Sequence, residues 1–154
     1  METENKVVST NRKAFRDYHI LETFEAGLAL VGSEVKSLRE GRANLKDSHV
    51  AIRRGEVFLI GMHIAPYSHT GYGGHEPYRE RKLLLHHREI RKLARNVSVK
   101  AHTIVPLSVY FRNGWVKVEI ALARGKRSYD KKEAIARRDR ERDVQRELKD
   151  RRQT

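Results

Sequence analysis

Thr103-Ile-Val-Pro-Leu-Ser-Val-Tyr-Phe-Arg-Asn-Gly-Trp-Val-Lys-Val-Glu-Ile-Ala-Leu-Ala123 reads as two antiparallel strands and the turn that joins them. Leu107, Val109 and Phe111 alternate with Ser108, Tyr110 and Arg112, a period of two that turns one face to a core and the other to water. Asn113-Gly114 supplies two residues that tolerate positive φ, as a type I′ turn requires. Past the turn, Val116, Val118, Ile120 and Leu122 alternate with Lys117, Glu119 and Ala121. A hairpin with one dry and one wet face cannot stand alone, so the reading requires further strands.

Those strands are found upstream. Tyr18 to Leu30 is rich in β-formers, and Gly27 is expected at a bulge or tight curve. Leu45 to Arg53 and Glu56 to Ile64 read as two strands joined near Arg54-Gly55. Thr10 is expected to cap a short helix from Asn11 to Arg16, and Ser33 a second one, with Val35 and Leu38 inward and Gly41 closing it in the left-handed conformation. Pro66, Gly71, Gly73, Gly74 and Pro77 place a surface loop between Ala65 and Tyr78. Arg81-Lys82-Leu83-Leu84-Leu85-His86 is expected to open a third helix to about Asn96, with Ile90 and Leu93 inward and Arg88, Arg91, Lys92 and Arg95 outward. About five or six short antiparallel strands with small helices between them predict a mainly β fold, an OB-like closed barrel with about three short helices.

The barrel is expected to span residues 1–123, with a basic tail over 124–154. From Arg124 to Thr154, 13 residues are Lys or Arg and 7 are Asp or Glu, leaving Ile135, Val144 and Leu148 as the only aliphatic side chains larger than alanine. Such a segment cannot offset the entropy of its own ordering in water. Its interleaved charges, Arg138-Asp139-Arg140-Glu141-Arg142-Asp143, nevertheless suit pairing between successive helical turns, so a latent helix that forms against a polyanion is expected.

The whole chain carries a formal net charge of +13. That balance directs it to nucleic acid before anionic membrane, and no apolar run approaches the ~20 residues needed to span a bilayer. Zero cysteines exclude disulfides, thiolate zinc sites and cysteine nucleophiles. The first residues show no basic-then-apolar leader pattern, and a cytoplasmic monomer is the expectation.

No GxSxG, P-loop, HExxH or paired-carboxylate motif is present, so no enzyme, cofactor or metal site is expected. His63, His69 and His75 recur in the loop without Asp or Cys, and His86-His87 diverge by ~100° on a helix. Tyr110, Lys117 and Trp115 offer a stacking surface and a phosphate contact, although Trp115 could equally fill a barrel end. Arg79, Arg81 and Lys82 read as a basic rim before Leu83-Leu84-Leu85. Three leucines in succession cannot share one face, so Leu84 is the one expected to be exposed or else folded into a turn. Glu25 either orients a neighbouring cation or accepts from RNA.

Several strings occur together in order: Asn11-Arg12-Lys13-Ala14, Phe24-Glu25-Ala26-Gly27-Leu28-Ala29-Leu30, Gly32-Ser33-Glu34-Val35-Lys36-Ser37-Leu38-Arg39, Arg81 to His86, and Gly125-Lys126-Arg127-Ser128-Tyr129-Asp130-Lys131-Lys132. The set resembles the SsrA-binding protein family, also called small protein B, from about residue 7 to about 150. The resemblance implies an OB-like barrel that binds the tRNA-like domain of tmRNA (SsrA RNA) and enters stalled bacterial ribosomes with it, an adaptor of trans-translation. It implies that Asn11, Arg12, Lys13, Glu25, Arg81, Lys82, Leu84 and Lys117 meet tmRNA. It also implies that a tail including Lys126, Arg127, Tyr129, Asp130, Lys131, Lys132, Arg137 and Arg138 binds the decoding centre and the empty mRNA channel, helical there and disordered alone. The family usually reads Gly-Lys-Lys and Asp-Lys-Arg where this chain has Gly125-Lys126-Arg127 and Asp130-Lys131-Lys132; the exchange keeps charge but removes a bidentate fork at position 132. A generic ribosome-associated OB-fold protein is the competing reading, distinguished by a lack of preference for tmRNA.

Overall fold

The computed structural model describes residues 5–67, 74–99, 102–126 and 142. The chain divides into two units, Met1–Arg124 and Gly125–Thr154. The elements run β1 (Lys6–Thr10), α1 (Arg12–Asp17), β2 (Tyr18–Leu28), α2 (Gly32–Arg39), β3 (Ala43–Asn44), β4 (His49–Arg53), β5 (Glu56–Ile60), β6 (His63–Ile64), β7 (Arg81–Leu84), α3 (His87–Val99), β8 (Thr103–Arg112) and β9 (Trp115–Gly125).

One sheet of seven strands has the order β1-β8-β9-β2-β7-β5-β4, and β3 pairs with β6 in a small second sheet. The closed barrel expected from the sequence is therefore not formed. The sheet curls until β4 approaches β8, but no ladder joins them and β1 and β4 remain its two edges. Closure needs a continuous ring of ladder hydrogen bonds. Here β4 is five residues long, and its hydrogen-bonded neighbour in the sheet is β5.

The decisive hairpin forms around Asn113 and Gly114, at φ 51° and 79°, and Arg54-Gly55 repeats the device between β4 and β5 at 51° and 76°. The alternation in β8 is interrupted. Its register to β9 shifts between Pro106 and Ser108, and this irregularity sends Leu107 to the opposite face. Leu107 and Ala121, expected on the dry and wet faces respectively, share a small cluster with Ala14, Val105 and Ala123 beneath α1. The wet face is dry wherever that helix covers it.

The main core gathers Phe24, Leu38, Leu59, Leu83, Leu93, Phe111 and Ile120 with eleven others inside the curl. Leu93 alone ties α3 to this core with no exposure, a burial worth about 1.5–3 kcal/mol.

Several local expectations are corrected. Asn11 rather than Thr10 caps α1, its Oδ1 accepting from Ala14 N–H at 3.3 Å. Val31 holds the cap position of α2, where Glu34 reaches back to accept the Val31 N–H at 3.0 Å. Ser33 is thereby released to meet His75. Gly41 closes α2 at φ 72° as expected. Arg81–Leu84 is a strand rather than the start of a helix, because it fills the gap between β2 and β5, and α3 begins only at His87. Gly27 stands in the ladder opposite Leu84, where a Cβ would lie 3.3 Å from the Leu84 Cβ, so the residue permits a close approach of the two strands.

Candidate nucleic-acid interface

Four strands bring the central groups together. Glu25 projects from β2, Leu84 from β7, Tyr110 and Arg112 from β8, and Lys117 from β9. Tyr110 and Lys117 are cross-strand partners, which puts them on one face. Tyr110 Oη donates to Glu25 Oε2 at 2.6 Å and Arg112 Nη1 donates to the same oxygen at 2.8 Å. Glu25 Oε1 has no hydrogen-bond partner among the described residues, so one carboxylate oxygen is fixed in position and left open as an acceptor.

The Tyr110 hydroxyl, and to a lesser degree Arg112 and Lys117, hold the Glu25 carboxyl below the usual carboxylate range against the opposing effect of burial. Burial and the Glu25 charge raise the Tyr110 phenol well above its ordinary value, so it remains a donor at every physiological pH.

Glu25, Gly27, Leu84, Leu85, His86, Glu89 and Lys117 line a depression of about 400 Å³. Leu84 is 52% exposed between buried Leu83 and half-buried Leu85. An apolar side chain, an oriented acceptor and a lysine thus converge on one concavity, a combination suited to a sugar edge, its hydroxyl and a phosphate. Trp115, 73% exposed near the hairpin turn, does not fill the interior; it presents a flat surface on the side of Arg112, its cross-strand partner.

The other expected residues lie elsewhere. Lys82 is exposed and paired with Glu56 at 3.3 Å. Arg81 is fully buried and leaves the expected RNA-facing set: β7 alternates, and with Lys82 and Leu84 outward, Arg81 and Leu83 must point in. Its Nε donates to Glu34 Oε2 at 2.5 Å, and its Nη1 and Nη2 donate to the carbonyls of Met62 at 2.7 Å and Pro77 at 3.1 Å. Asn11 and Lys13 line a second depression of about 300 Å³ with Asp17, Asp47 and His49, while Arg12 is exposed on α1. Both ends of the Asn11 amide are engaged, one at Ala14 and the other donating to Pro106 O at 2.9 Å. Lys126 ends the continuous described segment; Arg127, Tyr129, Asp130, Lys131, Lys132, Arg137 and Arg138 lie outside the described residues.

Two of the three spaced histidines, His63 and His75, are engaged in packing. His63 lies against the Tyr78 ring at 5.0 Å, and the His75 ring bridges Ser33 Oγ at 2.9 Å and Ile64 O at 2.8 Å. A carbonyl can only accept, so His75 Nε2 carries a proton and Nδ1 is free to accept from the serine. His69 lies outside the described residues, as do the other residues of 68–73 in the loop expected to hold it.

Sequence reasoning missed the Arg112–Glu25 pair and the share of Leu85, His86 and Glu89 in the depression. Strand alternation placed Arg112 on the wet face, but the partner two strands away in the sheet, 87 residues earlier, has no local signal.

The family model described as SmpB protein matches residues 8–150. The SsrA-binding protein of Syntrophobacter fumaroxidans is 54% identical over 150 residues, covering 97% of this chain and 93% of that one. The corresponding protein of a Sulfurihydrogenibium species is 58% identical over 144 residues, 94% of this chain and 95% of the relative. A solved structure described as "tmRNA-SmpB: a journey to the center of the bacterial ribosome" is similar at 48% identity and a TM-score of 0.64, covering 82% of this chain and 92% of that one. The chain belongs to the SmpB protein family.

Proposed function

We propose that this chain is an RNA-binding adaptor of trans-translation: it binds the tRNA-like domain of tmRNA, accompanies it into stalled ribosomes, and reads the vacancy of the mRNA channel with residues 124–154. The observation that carries the reading is the 48% identity, over 92% of its length, to an SmpB chain described with tmRNA at the ribosome.

The geometry supplies a mechanism for the first step. Glu25 Oε1 accepts from a ribose hydroxyl or a base N–H, Leu84 covers a sugar or base face, and Lys117 neutralises a phosphate. Asn11, Arg12 and Lys13 bind RNA from the α1 end, and Lys82 contributes charge beside Leu84. The tail, including Lys126, Arg127, Tyr129, Asp130, Lys131, Lys132, Arg137 and Arg138, becomes helical against ribosomal RNA, whose phosphates provide the contacts that water does not. An occupied channel excludes it by volume and charge. The adaptor works as a cytoplasmic monomer and performs no bond chemistry; transfer steps belong to tmRNA and the ribosome.

Replacing Lys131 and Lys132 with alanine tests the division of labour. Affinity for the tRNA-like domain is expected to stay within about twofold while peptide tagging of stalled chains is lost. Equal affinity of the unaltered chain for tmRNA and an unrelated structured RNA of the same length would refute the reading.

A further inference from the structure

The depression leaves one strongly charged surface unused. With 3.6 residues per turn, Arg88, Arg91, Lys92 and Arg95 of α3 fall within an arc of about 100°, opposite Ile90 and Leu93. All four are exposed, whereas Leu93 is buried and Ile90 packs against the core. The helix contains one carboxylate, Glu89, and its Oε1 is committed to the His86 N–H at 3.1 Å. Lys92 is held by Glu22 of β2 at 2.7 Å.

Arg88, Arg91 and Arg95 form no ion pair or hydrogen bond through their side chains among the described residues. Several other cations on this unit do have partners: Arg53 meets Glu80 at 2.8 Å, Arg112 meets Glu25 at 2.8 Å, and Lys82 meets Glu56 at 3.3 Å. Like charges three and four residues apart oppose the helix that carries them. An external anion removes that repulsion.

Two features connect the stripe to the depression. His86 and Glu89, at the start of α3, line it with Glu25 and Lys117. The Lys92–Glu22 pair fixes the middle of α3 to the strand that carries Glu25. A nucleic-acid strand leaving the depression toward α3 therefore meets Arg88 first. From Arg88 to Arg95 the helix advances about 10 Å, enough to follow roughly three phosphates of one strand. Between Arg88 and Arg95 the outward arc holds no apolar residue, unlike the apolar face of a membrane-inserting helix.

We infer that Arg88, Arg91 and Arg95 form a second phosphate-contact surface for RNA, continuous with the depression. The inference rests on the RNA-binding reading above and extends it. Its test is the full-length triple variant R88Q/R91Q/R95Q, whose side chains are exposed and whose fold is checked by circular dichroism. Binding to a transcribed tRNA-like domain of tmRNA is followed by anisotropy from 50 to 200 mM salt. Each lost phosphate contact lowers the slope of log affinity against log salt by about 0.7–0.9, so the slope should fall by about 2–3. Affinity in low salt should fall about tenfold or more, and the triple lysine variant should restore the slope, because a point charge suffices. A glutamine variant with the unaltered slope and affinity overturns the inference. Leu84→Ala and Lys117→Ala, measured in parallel, report separately on the depression: if both bind as the unaltered chain does, the parent reading falls as well.

Discussion

Arg81→Met removes the one cation that is completely buried among the described residues. The methionine has similar length and keeps the apolar contacts of the arginine stem, so the loss is confined to charge and hydrogen bonding. The guanidinium donates to Glu34 Oε2 at 2.5 Å and to the carbonyls of Met62, Pro77 and Glu76, thereby joining α2, the end of the β5–β6 connection and the approach to β7. Breaking one side of a buried ion pair costs about 3–5 kcal/mol. Glu34 keeps Arg79 at 2.5 Å and the Val31 N–H at 3.0 Å, which moderates the loss toward the lower figure, about 3 kcal/mol. In a domain of typical stability, about 5–15 kcal/mol, that is a large share. Urea unfolding followed by far-UV circular dichroism measures it, since Trp115 is too exposed to report on the interior. The double variant E34L/R81M should be less destabilised than the two single losses added, because it leaves neither charge stranded in the interior. A loss below about 1 kcal/mol in R81M, or strict additivity in the double variant, refutes the assignment of the pair as a structural anchor of β7.

Acid should weaken the same anchor. Burial pushes the Glu34 carboxyl up, but hydrogen bonds from Arg79, the Val31 N–H and Arg81 outweigh it and hold the folded value below the ordinary one. A depressed folded value means stabilisation that is complete above the unfolded value, about 4.3, and is lost as pH falls through the folded one. Unfolding midpoints should therefore drop below about pH 4 by less in E34L than in the unaltered chain; an equal drop would count against it. Leu84→Ala should leave stability within about 0.5 kcal/mol, because the side chain is half exposed, yet weaken binding to the tRNA-like domain; parallel urea and anisotropy measurements distinguish the two effects. Tyr110→Phe deletes the principal donor to Glu25, so the Glu25 carboxyl should titrate at higher pH in carbon-detected NMR, and an unchanged titration would show that Arg112 alone sets it.

Period-two alternation and Asn113-Gly114 determined the β8–β9 hairpin, because both are local: one follows from side chains pointing to opposite faces, the other from the few residues that accept positive φ. That three successive leucines cannot share one face was legible in the same way, but whether Leu84 was exposed or folded into a turn was left open until the pairing of β7 turned it outward. The composition of residues 124–154 likewise excluded a self-sufficient core there. Tertiary structure decided the rest. Whether the sheet closes depends on how far β4 stops from β8, a sum of strand twists and lengths that no single segment encodes. Arg81 looked like part of a basic rim until the pairing of β7 between β2 and β5 turned it toward Glu34, 47 residues earlier in the chain. Glu25 acquired its orientation only when Tyr110 and Arg112 arrived beside it from β8. A residue's own chemistry is written in the sequence, but the partner that fixes its charge and direction is supplied by a fold that brings distant segments within hydrogen-bond reach.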